Sequence, residues 1–163
     1  MAVRRMRFIL CVLFVVLLVS CASEQVESTK NRTVAVWDLE DLSPSPGLHS
    51  GLGELLSGQI IETLQGREDY IVVERERLLL ALQELNLGTT ALADESTRLR
   101  LGRLIGARFM VFGGYQVVGK GMRLDIRLVE VETGRVMKAV SRITSAGTVQ
   151  GWIENAKNAA GEL

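Results

Sequence analysis

The stretch Phe109–Val136, FMVFGGYQVVGKGMRLDIRLVEVETGRV, decides the fold of this chain. In its second half, apolar and charged side chains alternate at every position of Met122–Leu128, which is the period of a strand with one buried face. Gly119-Lys120-Gly121 marks a tight turn before this run, and Glu132-Thr133-Gly134 marks another turn after it. The stretch therefore predicts an antiparallel hairpin, followed by a third strand over about residues 135–145.

Upstream of that stretch, β-branched runs at Thr33–Trp37 and Tyr70–Val73 predict two short buried strands. Between them, Ser50 is suited to cap a helix that ends at Gly66. The apolar stripe of this helix, at helical spacing, consists of Leu52, Leu55, Leu56, Ile60 and Leu64. A strand followed by a helix and a second strand is typical of a sheet covered by helices.

Three further helices complete the pattern. One opens at Glu74–Arg77, whose alternating charges we expect to be solvated, and ends at Gly88. Another is capped by Asp94 and ends at Gly106. A final amphipathic helix carries on one face Val149, Trp152, Ile153 and Ala156. The predicted order is β-α-β-α-α-β-β-β-α, an α/β fold with a single mixed sheet flanked by helices and a C-terminal antiparallel meander.

Residues 1–20 have the zones of a lipoprotein signal peptide. Arg4, Arg5 and Arg7 precede the apolar run Phe8–Val19, which is shorter than the roughly 20 residues that cross a bilayer. The next zone has the order of a lipobox, formed by Leu18, Val19, Ser20 and Cys21. We therefore expect cleavage before Cys21, which then carries diacylglycerol and an N-acyl chain, with palmitate a typical acyl group. A transmembrane anchor and cleavage without a lipid are the alternatives.

The predicted mature protein is a lipidated tether, residues 21–32, followed by one domain, residues 33–163. Ala22 after the cysteine favours the outer membrane, and we expect the domain to lie at its periplasmic face. Cys11 falls in the leader, so a disulfide or a zinc–thiolate site is not expected. Without the leader, 16 basic residues face 19 acidic ones, a net charge of about −3 that gives no support to nucleic-acid binding.

Few residues of the predicted domain are candidates for chemistry. Asp38, Glu40 and Asp41 follow the first strand, where a sheet commonly places ligands. They are candidates for a cation-binding or partner-binding loop, and a solvated acidic loop is the alternative, because the usual spacing of a cation-binding loop is missing. His49 has no second histidine as a metal partner and is expected to be a solvated loop residue. Ser50–Gly53 fails the dinucleotide-binding pattern, and helix capping explains its glycines better. The sequence therefore predicts no enzyme, no metal and no cofactor apart from the lipid on Cys21.

The order of short landmarks along residues 33–145 resembles the CsgG family of curli-assembly lipoproteins. Each landmark is weak alone, and their order after a lipobox is what carries the resemblance. The matching stretches are Val34–Val36 with its acidic loop, the helix around Leu55–Ser57, Ile71–Arg75 with Leu78, Leu82 and Glu84, Leu101–Phe109, Gly113, and Leu128–Gly134.

The resemblance implies a periplasmic α/β domain held at the outer membrane by its lipid. In the curli secretion channel, long amphipathic hairpins inserted in this core form a transmembrane channel, but Gly119-Lys120-Gly121 leaves no room for one here. We therefore expect a CsgG-type, non-enzymatic assembly or secretion accessory, or protein-binding module, with partners in the cell envelope. A homo-oligomeric ring also fits the resemblance. The alternatives are an outer-membrane activator of a penicillin-binding protein, and a subunit of a curli-type pore.

Overall fold

The computed structural model describes residues 32–84 and 94–163. The strands in these ranges are β1 (Arg32–Val36), β2 (Glu40–Asp41), β3 (Tyr70–Val72), β4 (Phe109–Val118), β5 (Gly121–Glu130) and β6 (Val136–Thr144). The helices are α1 (Leu52–Gln65), α2 (Arg75–Glu84), α3 (Glu95–Leu104) and α4 (Val149–Gly161). The predicted α/β class and element order are confirmed, with β2 as an additional strand.

All six strands belong to one mixed sheet. Five of them follow the order β3-β1-β4-β5-β6, and β2 pairs with β4 outside this order. Strand β1 pairs in parallel with both β3 and β4, and β2 continues along the same side of β4. Strands β4, β5 and β6 form the antiparallel meander. Consequently β1, β3, β4 and β6 all begin at one end of the sheet, called here the amino end, and finish at the opposite, carboxyl end.

The predicted hairpin turn has the length that its glycines indicate. Val118 pairs with Gly121, so only Gly119 and Lys120 lie between the strands, and Gly119 has a φ of 59°. A backbone with positive φ is readily adopted by glycine because it has no Cβ. The second predicted turn has Gly134 at a φ of 70°, and the third strand occupies residues 136–144 where about 135–145 was predicted.

Helices α1 and α4 pack on one face of the sheet, and helices α2 and α3 pack on the other. The buried positions of α1 recur every four residues, at Leu52, Leu56, Ile60 and Leu64. Each of these leucine or isoleucine side chains contributes roughly 1.5–3 kcal/mol when it is fully buried. No described helix is long and apolar enough to span a membrane.

Several predicted helix details need correction. Gly51, with a φ of 79°, occupies the N-cap of α1, and no side chain caps the helix, so Ser50 does not cap it. Gly53 is explained by packing, because a Cβ there would lie 2.3 Å from the carbonyl oxygen of Leu39. Leu55 and Val149 belong to their predicted helices, but 45% and 49% of these residues, respectively, stay exposed. They lie beside, rather than within, the helix stripes that face the sheet.

Two helix boundaries agree with the sequence. Helix α1 ends at Gln65 with Gly66 as its C-cap. The Asp94 carboxylate caps α3 by accepting a hydrogen bond from the backbone N–H of Ser96 at 3.3 Å. The predicted end of α2 at Gly88 lies outside the described residues.

Candidate protein-binding face

On the α2 and α3 side of the sheet, the helices leave the carboxyl half of the meander uncovered. The outward side chains of β5 include Arg123, Asp125 and Arg127, none of which is buried, whereas Val129 nearer the amino end is fully buried. Outward positions of β6 are exposed throughout. The uncovered surface continues a packed sheet, so its backbone is held in place by the core behind it.

A groove of about 400 Å³ crosses this uncovered surface. Its floor consists of two cross-strand rows, Gly114–Asp125–Ser141 and Phe112–Arg127–Ala139. Gly114 lets the loop before α1 pack close to β4, because a Cβ there would lie 2.7 Å from Cδ1 of Leu42 and 3.0 Å from the carbonyl oxygen of Glu40. Leu42 itself lines the groove and is 54% exposed. We call this surface the β4–β6 groove.

Three ion pairs surround the β4–β6 groove and balance its charge. Arg98 pairs with Glu40, Arg127 lies 2.8 Å from Glu95, and Arg123 lies 2.8 Å from Asp125. The pKa of Asp125 stays below its usual value: burial raises it, but the hydrogen bonds from Arg123 and Ser141 outweigh that effect. A groove whose charges are already paired suits neutral or apolar side chains better than a phosphate or another strongly charged ligand.

Arg98 forms a stiff wall of the groove. Its side chain is only 12% exposed. Its guanidinium carbon lies 5.7 Å from the centre of the Trp37 ring and 5.9 Å from that of Phe112, distances at which a cation is attracted to an aromatic face. Glu40 of the predicted acidic loop also belongs to this wall, because it accepts a hydrogen bond from the Arg98 guanidinium. Arg98 was not among the candidate residues predicted from the sequence.

The three acidic residues of the predicted loop are separated in the structure by their partners. Asp38 binds Arg75 at 2.8 Å, Glu40 binds Arg98, and Asp41 accepts backbone hydrogen bonds. Burial raises the pKa of Asp38 despite the nearby Arg75 guanidinium. In the described ranges, no three or more His, Cys, Asp or Glu side chains are grouped so that they could hold a metal ion. The loop enters the candidate site through Glu40, and its role in partner binding stays a prediction.

Asp41 fixes the loop that carries Leu42. Its carboxylate accepts hydrogen bonds from the backbone N–H groups of Ser43 at 3.0 Å and Gly47 at 2.9 Å. The pKa of Asp41 is lowered to about 2. The hydrogen bond from the Ser43 hydroxyl has the largest effect, and the two backbone N–H groups add to it. The loop therefore depends on an ionised carboxylate.

Replacing Asp41 with asparagine should reduce the free energy of unfolding by about 1–2 kcal/mol at neutral pH, because charge-assisted hydrogen bonds are lost. Since the folded-state pKa is lowered, the contribution of Asp41 is complete above about pH 4 and is lost as the pH falls through about 2. Urea unfolding of both proteins between pH 7 and pH 2 should show a constant difference down to about pH 4 and a shrinking difference below it. Glu68→Gln, at an exposed residue, is the control; a constant Asp41→Asn difference down to pH 2 would contradict the prediction.

His49 and Arg75, which were expected to be solvated, both make side-chain contacts in the structure. His49 is partly buried, and its ring meets that of Trp152 edge to face at 5.2 Å, so the expectation of a solvated histidine was wrong. Aromatic pairs prefer such an edge-to-face arrangement. Arg75 of the predicted solvated charge run binds Asp38. The predicted lipidation site and lipobox, Leu18, Val19, Ser20 and Cys21, lie outside the described residues.

Solved structures with a similar fold include the LpoB C-terminal domain from Salmonella enterica, with a TM-score of 0.60 and 17% identity over 69% of this chain and 82% of that one. The LpoB C-terminal domain from Escherichia coli has a TM-score of 0.57 and 16% identity over 76% of this chain and 88% of that one. Lipoprotein GNA1162 from Neisseria meningitidis has a TM-score of 0.54 and 14% identity over 69% of this chain and 79% of that one. At these identities the likeness establishes the fold alone.

A search of curated protein sequences returned no significant match. The family model of the curli production assembly/transport component CsgG matches residues 18–122, nearly two thirds of the chain. The match includes the predicted cysteine, strands β1 to β4 and the turn into β5, and it agrees with the resemblance found in the sequence. The chain therefore belongs to the CsgG family.

Proposed function

We propose that this protein is a non-enzymatic lipoprotein, anchored through Cys21 at the periplasmic face of the outer membrane, that binds a protein partner as an assembly or secretion accessory. Family membership supports the assembly or transport context. The β4–β6 groove is the observation that carries the binding role, because an uncovered, partly apolar sheet surface bounded by paired charges suits a protein surface. The two-residue turn at Gly119 and Lys120 supports a family member without the channel's hairpin insertion at this position.

The groove fits an apolar side chain of the partner at its centre. The apolar side chains of Leu42 and Phe112 both line the groove. Interfaces gain most of their affinity from a few such buried anchor residues, surrounded by polar contacts that exclude water. Because Arg98 and the strand backbone are already held in position, little conformational entropy is lost on binding.

Filling the groove should prevent binding of the partner. Ala139 is exposed on β6 and lines the groove, so Ala139→Arg places a long cation there without disturbing the core. We expect the amount of partner captured with the lipidated protein from solubilised membranes to fall at least about tenfold, because loss of a central anchor costs roughly 1.4 kcal/mol or more. Quantitative mass spectrometry of the captured proteins measures the change, followed by direct binding of the purified partner.

Ala146→Arg is the matched control, since it makes the same substitution at an exposed residue that does not line the groove. The partner should remain with this variant and with the unaltered protein. Equal loss in both variants, or no loss in either, would argue against the groove as the binding site. Capture of a penicillin-binding protein as the sole partner would favour the activator alternative. Capture of further copies of this chain would favour the homo-oligomer or pore subunit.

A further inference from the structure

Four cations surround one hollow at the amino end of the sheet. Arg32, Arg108, Arg135 and Lys138 line a space of about 240 Å³, in which Glu130 is the one acidic side chain among the lining residues. They come together because β1, β4 and β6 all begin at this end, with Arg32 opening β1 and Arg108 preceding β4. The residues are far apart in sequence, so the fold brings them together.

Carboxylates of the described residues balance part of this positive charge, since the Arg32 guanidinium helps to lower the pKa of the nearby Asp69 and Arg135 is paired with Glu130. Arg135 lies 3.7 Å from Glu130, whereas Arg32, Arg108 and Lys138 form no ion pair there. The guanidinium of Arg108 lies over the Phe109 ring. The ammonium group of Lys138 donates to the main-chain carbonyl oxygen of Glu162 at 3.2 Å. The cations of the β4–β6 groove, in contrast, all have carboxylate partners.

Exposed apolar side chains lie at the same end of the sheet. Val136 and Met137 begin β6 and are 47% and 42% exposed, and Leu104 at the end of α3 is 55% exposed. Cations interspersed with exposed apolar side chains are typical of surfaces that lie in the headgroup region of a membrane, where the charges meet phosphates and the apolar groups leave water.

The proposed anchor also leads to this end. Arg32 lies eleven residues after Cys21, and eleven residues span at most roughly 40 Å when fully extended. The chain enters β1 at the amino end, so this end of the sheet is the one to which the proposed lipid is connected most directly.

We infer that the amino end of the sheet is a membrane-facing surface that binds the phosphates of anionic lipid headgroups, an inference that rests on the proposed lipid anchor at Cys21. The carboxyl half of the sheet, with the β4–β6 groove, then faces away from the bilayer and stays accessible to a partner. Because the attraction is electrostatic and screened within about 8 Å at physiological salt, it depends on ionic strength.

Two native lysines report the orientation. Lys138 lies at the amino end, and Lys120 lies in the turn at the carboxyl end. The lipidated full-length mature chain is bound to vesicles of phosphatidylcholine, with or without phosphatidylglycerol, and its lysines are modified by an amine reagent and quantified by mass spectrometry. We expect the anionic lipid to slow modification of Lys138 at least threefold and to leave Lys120 unchanged. In 0.5 M NaCl, about three times the physiological ionic strength, the rate for Lys138 should recover.

The variant Arg32→Gln/Arg108→Gln tests the surface itself. Each cation near an anionic surface contributes about fivefold to binding, so this variant should return Lys138 to its rate on phosphatidylcholine. Arg77→Gln/Arg100→Gln removes the same charge from exposed positions on α2 and α3 and should retain the protection.

The outcomes separate the anchor from the surface. Failure of the protein to float with phosphatidylcholine vesicles would refute the anchor and with it this orientation. Flotation with equal labelling of Lys138 on both vesicle types would refute the membrane-facing surface alone. Equal slowing of Lys138 and Lys120 would likewise refute it, because the domain would then have no preferred orientation.

Discussion

Valine in place of Gly113 is expected to lower the free energy of unfolding by at least about 3 kcal/mol, at the upper end of overpacking effects in protein cores. A Cβ at this position would lie 2.2 Å from the carbonyl oxygen of Asp125 and 2.9 Å from Cγ2 of Ile126. The first of these atoms belongs to the backbone of β5, which is paired on both sides, with β4 and with β6. The strand cannot move aside without breaking ladder hydrogen bonds.

The matched control is Gly58→Ala in α1, where a Cβ meets nothing within 4 Å. Alanine in a helix interior is favoured over glycine by about 0.5–1 kcal/mol, so this variant should unfold at a higher urea concentration than the unaltered protein. Urea titrations followed by circular dichroism give both values from the midpoint and the slope. A Gly113→Val protein with an unchanged midpoint would mean that β4 and β5 do not approach as closely as described here.

The alternation in Met122–Leu128 made β5 and its turn predictable, because a period of two residues has one structural interpretation when one face is buried. Helix α1 was predictable for the same kind of reason, since its buried residues recur at the helical period. One element that the sequence did not predict lies where no period exists. Strand β2 has two residues, Glu40 and Asp41, and such a short strand forms only because β4 extends beyond β1 and offers a free edge.

The candidate site was less predictable than the fold. The β4–β6 groove combines Glu40, Arg98, Gly114 and Ser141, which are far apart in sequence and meet through the strand order. The predicted acidic loop contains Glu40, which lines the groove, but the sequence could not say that an arginine from α3 would pair with it. One available signal was the pair Gly113–Gly114 within an otherwise apolar strand, because glycine in a strand interior marks a close approach or a gap.

Replacing Cys21 with serine is expected to abolish acylation and to remove at least about nine tenths of the protein from the outer-membrane fraction. Each buried CH₂ group contributes about 0.8 kcal/mol, and one acyl chain binds a membrane only marginally, so stable anchoring requires the several chains of a lipidated cysteine. Serine has the size of cysteine but no thiol to accept diacylglycerol. Cys11, the other cysteine, lies within the predicted leader and cannot replace it after cleavage.

Metabolic labelling with an alkyne analogue of palmitate and density-gradient separation of the two membranes measure the two effects independently. Ser20→Ala is the matched control, because it keeps a small residue before the cysteine and should retain both label and location. Since a variant that escapes lipoprotein processing keeps its apolar leader, it is expected in the inner membrane or, if cleaved, in the periplasm; the intact mass distinguishes these forms. Acyl label and an outer-membrane position that persist in Cys21→Ser would place the anchor elsewhere, and the amino end of the sheet would then have no reason to face the bilayer.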